Sequence, residues 1–500
     1  MSKKLLLIEP PFYRLYKDTY ALEIFPLSLG YLSATVKRDT NWDVMAYNAD
    51  FNPNAEIMQV SFLAGTGYRN YLNNLKDTEY NVWQEVKKTI SSYRPDVIGI
   101  TTKSQNFASA RTVAKIAKDI NPKTVVIVGG PHPTMVGKDV FKCQDIDAIA
   151  VGEGEETLVD FLKKLQSGES LDTVNGLMYR KNGIISVTPP RAYIQDLDTL
   201  PFPHQSAKDV LKDYDKYQLS AFKSIFATRG CPNNCLFCGS RYLWSTKVRF
   251  RSPENVAAEI SELRKLGLNV IRFDDDTFGV QRKYIYELTD AISACCPDIK
   301  WGCEIHVRLI DDEIVSRMKK AGCFVIQIGI ESGNNEMLKK IRKNITIEDA
   351  YNASKLIRSH GIEVQTFFMI GFPDETEETL KDTITAIETI DSDAVSYSIF
   401  TPYPGTELFT TCKERGLVDD DFDVSLYNHQ SPANHFCSHI SHERFRELAL
   451  AAEKMVDRRN NVKLIKKALS VGTLKAVKDM GLRAAASKGL SFIRNYLNNR

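Results

Sequence analysis

Three of the ten cysteines fall together in the run Arg229-Gly230-Cys231-Pro232-Asn233-Asn234-Cys235-Leu236-Phe237-Cys238-Gly239. A loop this compact lets three thiolates face one point. Three are one short of the four that a structural zinc ion or an ordinary iron–sulfur cluster takes. No fourth Cys or His lies close in sequence. Either a distant residue completes the shell, or one metal position stays open for a chelating substrate. The other seven, Cys143, Cys295, Cys296, Cys303, Cys323, Cys412 and Cys437, are scattered. They read as small buried hydrophobes rather than a disulfide framework.

Further polar groups stand at the ends of apolar runs. Asp274-Asp275-Asp276 closes one, Glu304 and Arg308 another, and Glu331-Ser332-Gly333 a third. Three consecutive carboxylates are costly unless they meet cations or hydrogen-bond donors. Two glycine turns, Val128-Gly129-Gly130-Pro131-His132 and Val151-Gly152-Glu153-Gly154-Glu155, each follow a Val/Ile-rich run. Glycine there lets a large ligand approach the backbone. His435, Cys437, His439 and His442 crowd a later loop, with the composition of a metal site or of a lid over substrate.

The elements that would hold these groups form two α/β series. In residues 1–168, Lys4–Pro11, Asp43–Asp50, Val97–Lys103, Thr124–Gly130 and Ala148–Gly154 are apolar runs ending in turn residues. Amphipathic stretches such as Phe107–Ile120 and Glu156–Leu165 lie between them. Fully apolar strands alternating with helices predict a parallel sheet covered on both faces, here a doubly wound, flavodoxin-like domain. Asn52–Val82 fits this poorly and reads as an insertion over a ligand. Residues 169–222 are a proline-rich connector with a small hairpin around Lys181-Asn182-Gly183. In residues 223–415, six predicted strands (Lys223–Arg229, Asn269–Asp275, Lys300–Val307, Phe324–Glu331, Glu363–Gly371 and Asp393–Pro402) alternate with helical stretches. Ser252 and Thr346 stand where helix N-caps belong, and Gly267, Gly322 and Gly361 where helices end. This predicts a partial (β/α)6 barrel of the TIM type, with its site at the carboxyl ends of the strands. Residues 416–500 read as a polar loop and a helical tail.

The cysteine spacing, Phe237 just before the third cysteine, and the position after the first barrel strand resemble the radical S-adenosylmethionine superfamily. The resemblance implies a 4Fe-4S cluster on Cys231, Cys235 and Cys238, flanked by Phe237 and Gly239. Its fourth iron would bind the amino and carboxylate groups of S-adenosyl-L-methionine, and one electron would release a 5′-deoxyadenosyl radical. It further implies that the Asp274, Asp275, Asp276 stretch meets the ammonium. Glu304, Arg308, Glu331 and Ser332 would meet the carboxylate and ribose. Gly371-Phe372-Pro373 and Pro402-Tyr403-Pro404-Gly405-Thr406 resemble two backbone-shaping turns of the same family. Ahead of such a barrel, the first domain is similar to the cobalamin-binding domain of the cobalamin-dependent subfamily. Gly129, Gly130, His132, Gly152 and Glu153 would then line the cofactor's pocket, with His132 either at the ligand or structural. The Asp-x-His-x-x-Gly motif is absent, and Pro10-Pro11-Phe12 follows the first strand. This implies cobalamin held without a histidine ligand, and leaves open a domain that has lost it. The resemblance runs from Leu5 to Leu408.

The implied activity is cobalamin-dependent methyl transfer to an unactivated carbon. A radical cyclase or rearrangement enzyme of tetrapyrrole or lipid type shares the same parts. A cobalamin-binding sensor or carrier is the rival of another class. A methylthio-transferase would bring three more clustered cysteines in the N-terminal domain, which holds only Cys143. Expected partners are a small-molecule or lipid-like substrate and a reducing flavodoxin or ferredoxin. The net charge of +2 is uneven, with nine basic residues against one acidic from Asn460 to Arg500. The body is therefore acidic, which argues against nucleic acid. The tail from Val462 places Leu and Ile at helical spacing among basic residues, a pattern suited to a membrane surface or to docking on the barrel. No run reaches the ~18 apolar residues of a membrane span, so a cytoplasmic protein is expected, with the tail able to touch the inner face of the membrane.

Overall fold

The computed structural model describes residues 2–468 except 57, 59, 430 and 432. Apolar β-branched runs become the strands of two parallel sheets. The first contains β1 (Lys4–Glu9), β2 (Asp43–Asn48), β3 (Val97–Thr101), β4 (Val125–Gly129) and β5 (Ala148–Ala150). It continues into β6 (Leu177–Lys181) and β7 (Ile184–Val187), in the order β2-β1-β3-β4-β5-β6-β7. Strands β1 to β5 run parallel, whereas β5–β6 and β6–β7 pair antiparallel. The hairpin expected within the connector is thus the edge of the first sheet. Its turn uses Asn182 and Gly183, both at positive φ, as a tight two-residue turn requires.

The second half begins with β8 (Ser224–Ile225) and the ribbon of β9 (Thr228–Arg229) and β10 (Arg249–Phe250). Then come β11 (Val270–Phe273), β12 (Lys300–Glu304), β13 (Cys323–Glu331), β14 (Glu363–Ile370) and β15 (Ala394–Ile399). The six-stranded sheet has the order β15-β14-β13-β12-β11-β8 with every pair parallel. β8 and β15 do not pair, so the barrel is partial, as expected. Ser252 caps the helix Pro253–Lys265 by accepting from the Asn255 N–H, and Thr346 forms a reciprocal capping box with Asp349. Gly322 turns the chain at φ +96°, where a Cβ would lie 2.1 Å from the Ile299 carbonyl. Only glycine fits there.

Trp301 on β12 is fully buried against Phe273 and Phe278 at centroid distances of 5.4 Å, and its indole N–H donates to the Ala321 carbonyl at 2.7 Å. Trp301→Ala is expected to cost about 3–5 kcal/mol, read as a lower urea midpoint for loss of the barrel's signal.

The helix Thr66–Asn74, in the stretch expected as an insertion, and the helix Phe107–Ile120 hold the C-terminal loop. Tyr71 and Tyr68 hydroxyls donate to the carbonyls of Ser425 and Leu426 at 2.7 and 2.6 Å, and Arg111 pairs with Asp423. A long helix, His442–Ala468, then packs on β15, where the Asn460 side chain bonds the N–H and carbonyl of Val395. Among the described residues no helix is long and apolar enough to cross a membrane. The basic stretch beyond Ala468 lies outside the described residues.

Candidate functional site

The cysteine loop leaves β9 at Gly230, whose φ is +107°. Cys235 is buried, while Cys231 and Cys238 are partly exposed. The Asn233 side-chain N–H donates to Cys231 Sγ at 3.4 Å and the Ser240 N–H to Cys238 Sγ at 3.5 Å. Burial pushes all three thiols up, Cys235 to about 11 and Cys238 to about 12, with the Cys231 charge raising Cys235 further and both other thiols raising Cys238 further. Three neighbouring thiols so disposed hold protons until a metal displaces them.

Among the described residues no group of three or more His, Cys, Asp and Glu is placed to hold a single metal ion. A single zinc needs its sulfurs at ~2.3 Å from one point. Thiolates of a multi-iron cluster each bind a different iron and need not converge so tightly. The donor set, three cysteines of which two accept N–H bonds, therefore fits a multi-iron cluster better than a single zinc ion. The His435 loop does not gather a site either. His435 Nε2 bonds the Ile440 carbonyl at 2.7 Å, its ring packs against His442 and Phe445, and Cys437 is buried.

Next to Cys235 lies a second cluster. Lys343, buried, donates to Glu331 Oε1 at 2.8 Å. Burial disfavours its ammonium, but Glu331, with Cys235 and Glu304 nearby, holds its pKa above the ordinary lysine value. Glu331 itself sits at φ +75° beside a register shift between Gly329 and Glu331, an uncommon conformation for a non-glycine residue. Glu304 is pushed up to about 7 by burial and then by the Glu331 charge.

A cavity of about 420 Å³ opens between the two halves of the chain. One wall is the carboxyl edge of the first sheet, including Gly129, Gly130, Gly152 and Glu153. The other includes Arg229, Trp244, Asp274 and Asp276. At Gly152 a Cβ would meet nothing within 4 Å, so the chain leaves room there for a ligand. At Gly130, φ is +105° and a Cβ would lie 2.7 Å from the Thr102 carbonyl. These open glycine turns at the sheet's carboxyl edge fit a broad, flat cofactor.

The triple carboxylate divides. Asp276 faces the cavity, reachable by solvent yet surrounded by protein, and burial raises its pKa. Asp274 pairs with Arg272 at 2.6 Å at the cavity wall. Asp275 does not reach the cavity. It accepts the Thr228 hydroxyl at 2.5 Å, the Ala227 N–H at 3.1 Å and the Thr228 N–H, tying β11 to β9. Burial pushes Asp275 up to about 7. Since the unfolded carboxyl titrates near 4, the folded state holds the extra proton between those values. Stability from this group is full below about pH 4 and falls as pH rises toward 7. Asp275→Asn keeps the accepting oxygen and is expected to flatten that slope in pH-dependent thermal melts.

Other expected site residues fall away from the cavity. His132 is buried, bonded to Ser104 Oγ at 3.1 Å with its ring 4.2 Å from Phe107, and burial lowers it to about 4. Ser332 is fully buried, bonded to Thr383 Oγ1 at 3.2 Å. Arg308 is exposed in a separate cleft with Asp349 and Asn352. Phe237 packs its ring 5.9 Å from Phe372. Gly239 gives room to Met135 of the first half, whose Sδ would lie 2.8 Å from a Cβ there.

Sequence reading missed Lys343, Trp244 and a buried charge group spanning the two halves. Glu153 accepts from Arg229 at 2.7 Å and from Arg249 at 2.8 Å, and Glu155 accepts from Arg229 at 2.6 Å. Only the position of Arg229, two residues before Cys231, hinted at a role.

The family model for the Radical SAM superfamily matches residues 225–387, and that for the B12 binding domain matches residues 13–162. An uncharacterized methyltransferase of Pyrococcus horikoshii is 33% identical over 410 residues, covering 81% of this chain and 82% of that protein. The anaerobic magnesium-protoporphyrin IX monomethyl ester cyclase of Rubrivivax gelatinosus is 29% identical over 362 residues, covering 70% and 63%. In fold, the chain is similar to TsrM of Kitasatospora setae, a radical S-adenosylmethionine methyltransferase solved with cobalamin and a [4Fe-4S] cluster. The TM-score is 0.64 at 17% identity, covering 83% of this chain and 75% of that one.

Proposed function

We propose that this chain, which belongs to the radical S-adenosylmethionine superfamily and carries a B12-binding domain, is a cobalamin-dependent methyltransferase acting on an unactivated carbon of a small molecule. The observation that carries the reading is the shared cavity. One wall is the open glycine edge of the first sheet, and the other holds Asp276 and Arg229 beside the three-cysteine loop.

Cys231, Cys235 and Cys238 would hold a 4Fe-4S cluster, and the turns at Gly129, Gly130 and Gly152 would hold the corrinoid. When bound, the cluster with S-adenosyl-L-methionine supplies a hydrogen-abstracting radical, and the corrinoid supplies the methyl group. The protein's own part is placement. Asp276 presents a carboxylate to the cavity, suited to an ammonium group. The Lys343–Glu331 ion pair puts charge beside Cys235, with Glu304 next to it. Trp244, Leu29 and Leu158 give the cavity apolar walls that exclude water around reactive carbon species. A flavodoxin or ferredoxin of the cytoplasm would deliver the electron.

The test is anaerobic reconstitution with iron, sulfide and hydroxocobalamin, then reduction with titanium(III) citrate in the presence of methyl-labelled S-adenosyl-L-methionine. Bound iron and corrinoid, with 5′-deoxyadenosine and S-adenosylhomocysteine formed together, are expected. Corrinoid bound without iron would instead support a sensor. The likeness to a cyclase favours a second reading, radical ring closure. A product from cell extract carrying the methyl label supports methyl transfer, and an unlabelled cyclised product supports ring closure.

A further inference from the structure

We propose that Arg229 is a positioning residue that sets the register between the corrinoid-holding turns and the cysteine loop; this rests on the function proposed above. In the ribbon of β9 and β10, Arg229 stands directly opposite Arg249. Two guanidinium groups so placed repel one another unless carboxylates intervene. Both carboxylates come from the other half of the chain, Glu153 at the N-cap and Glu155 in the first turn of the helix Gly154–Ser167. All four side chains are between 2% and 7% exposed. The Ile194 N–H also donates to Glu153 at 2.8 Å, and its carbonyl accepts from Arg249 at 2.7 Å.

Arg229 is further held between Tyr31 of the first half and Trp244 of the second, at 5.3 and 5.0 Å from their ring centroids. Its chain continues through Gly230, pressed to 3.0 Å from the Lys247 carbonyl by the measure of an added Cβ, straight into Cys231. Glu153 and Glu155 also line the shared cavity beside Gly152, as does Arg229. A displacement of either half therefore reaches both proposed cofactor sites through one guanidinium.

The network is not built for stability alone. Arg249 Nε and Nη2 are buried without a hydrogen-bond partner. A partly satisfied buried ionic group is generally no more stable than an apolar replacement. What it does provide is geometry, because a planar guanidinium bridging two carboxylates fixes both distance and angle.

The test uses the full chain loaded with iron, sulfide and hydroxocobalamin and needs no identified substrate. S-adenosylhomocysteine reports methyl leaving the sulfonium for the corrinoid, across the two halves. 5′-Deoxyadenosine reports reductive cleavage at the cluster, within one half. Arg229→Gln is expected to keep its iron content and to lower 5′-deoxyadenosine less than S-adenosylhomocysteine. S-adenosylhomocysteine should fall about 10-fold or more, since misplacement by an ångström is enough for that. Arg229→Lys, reaching one carboxylate, should fall between. Should Arg229→Gln not fold, Glu155→Gln, which removes one anchor, is expected to lower the same ratio. An unchanged ratio, or both products falling in proportion, overturns the proposal. A parent protein that binds both cofactors yet makes neither product overturns the function itself, and this inference with it.

Discussion

Alanine at Cys231, Cys235 or Cys238 is expected to leave a folded protein that retains little or no iron after reconstitution. Its 5′-deoxyadenosine formation should drop by more than about 100-fold, beyond the cost of losing an outer-shell partner of a metal site. The loop does not depend on these side chains for its shape. Backbone bonds hold it, from the Leu236 N–H to the Ile341 carbonyl at 3.1 Å and from the Leu408 N–H to the Leu236 carbonyl at 3.2 Å. Cys231 and Cys238 are only half-buried, so truncation there leaves no large cavity. Cys412, fully buried in the helix Glu407–Glu414, supplies the contrast. Cys412→Ala should lower thermal stability modestly while iron content and product formation persist. Iron content by chelation assay and the low-temperature EPR signal of the reduced protein check both arms. Full iron loading in Cys235→Ala would remove the basis for placing a cluster on this loop.

The strands were legible because their burial is two-sided. Runs such as Val97–Thr101 and Val125–Gly129 lack the polar alternation of a half-exposed strand, as strands covered by helices on both faces must. Caps were legible for a local reason, since Ser252 and Thr346 satisfy backbone N–H groups three residues on. What could not be read was pairing between distant segments. The hairpin Leu177–Val187 looked like part of a linker because nothing local says that Leu177 faces Ala150.

The same limit decided the candidate site. Asp274, Asp275 and Asp276 are chemically equivalent in the sequence. Successive residues at a strand's end point to opposite sides, and this leaves Asp274 and Asp276 at the cavity and turns Asp275 into the β9 backbone. His132 follows a glycine turn that does line the cavity, yet its ring goes to Ser104 and Phe107. The charge group of Glu153, Glu155, Arg229 and Arg249 joins residues up to 96 positions apart. No spacing rule connects a glutamate after one strand with an arginine that begins a loop in another domain.

Gly129→Leu is expected to abolish corrinoid binding while sparing the cluster, and so to separate the two halves of the proposed chemistry. Gly129 ends β4, lines the shared cavity, and keeps a negative φ, so a side chain there does not strain the backbone. A Cβ at this position would meet Ala150 Cβ at 3.7 Å, an ordinary contact, which means the fold tolerates the first added carbon. The remaining atoms must enter space that the proposal assigns to the corrinoid. A loss of about 100-fold in affinity, ~2.7 kcal/mol, is the least expected from a steric block in a preformed pocket. Absorbance of retained hydroxocobalamin after gel filtration measures it. Iron content should match the parent, and 5′-deoxyadenosine should still form on reduction, because Asp276, Glu304 and the cysteine loop are untouched. S-adenosylhomocysteine should vanish, since no acceptor remains for the methyl group. Gly130→Ala would not make this distinction, because φ +105° and the Thr102 carbonyl at 2.7 Å charge the substitution to folding instead. If Gly129→Leu binds corrinoid like the parent, the ligand lies elsewhere on the first sheet, and the shared cavity loses its role as the meeting place of the two cofactors.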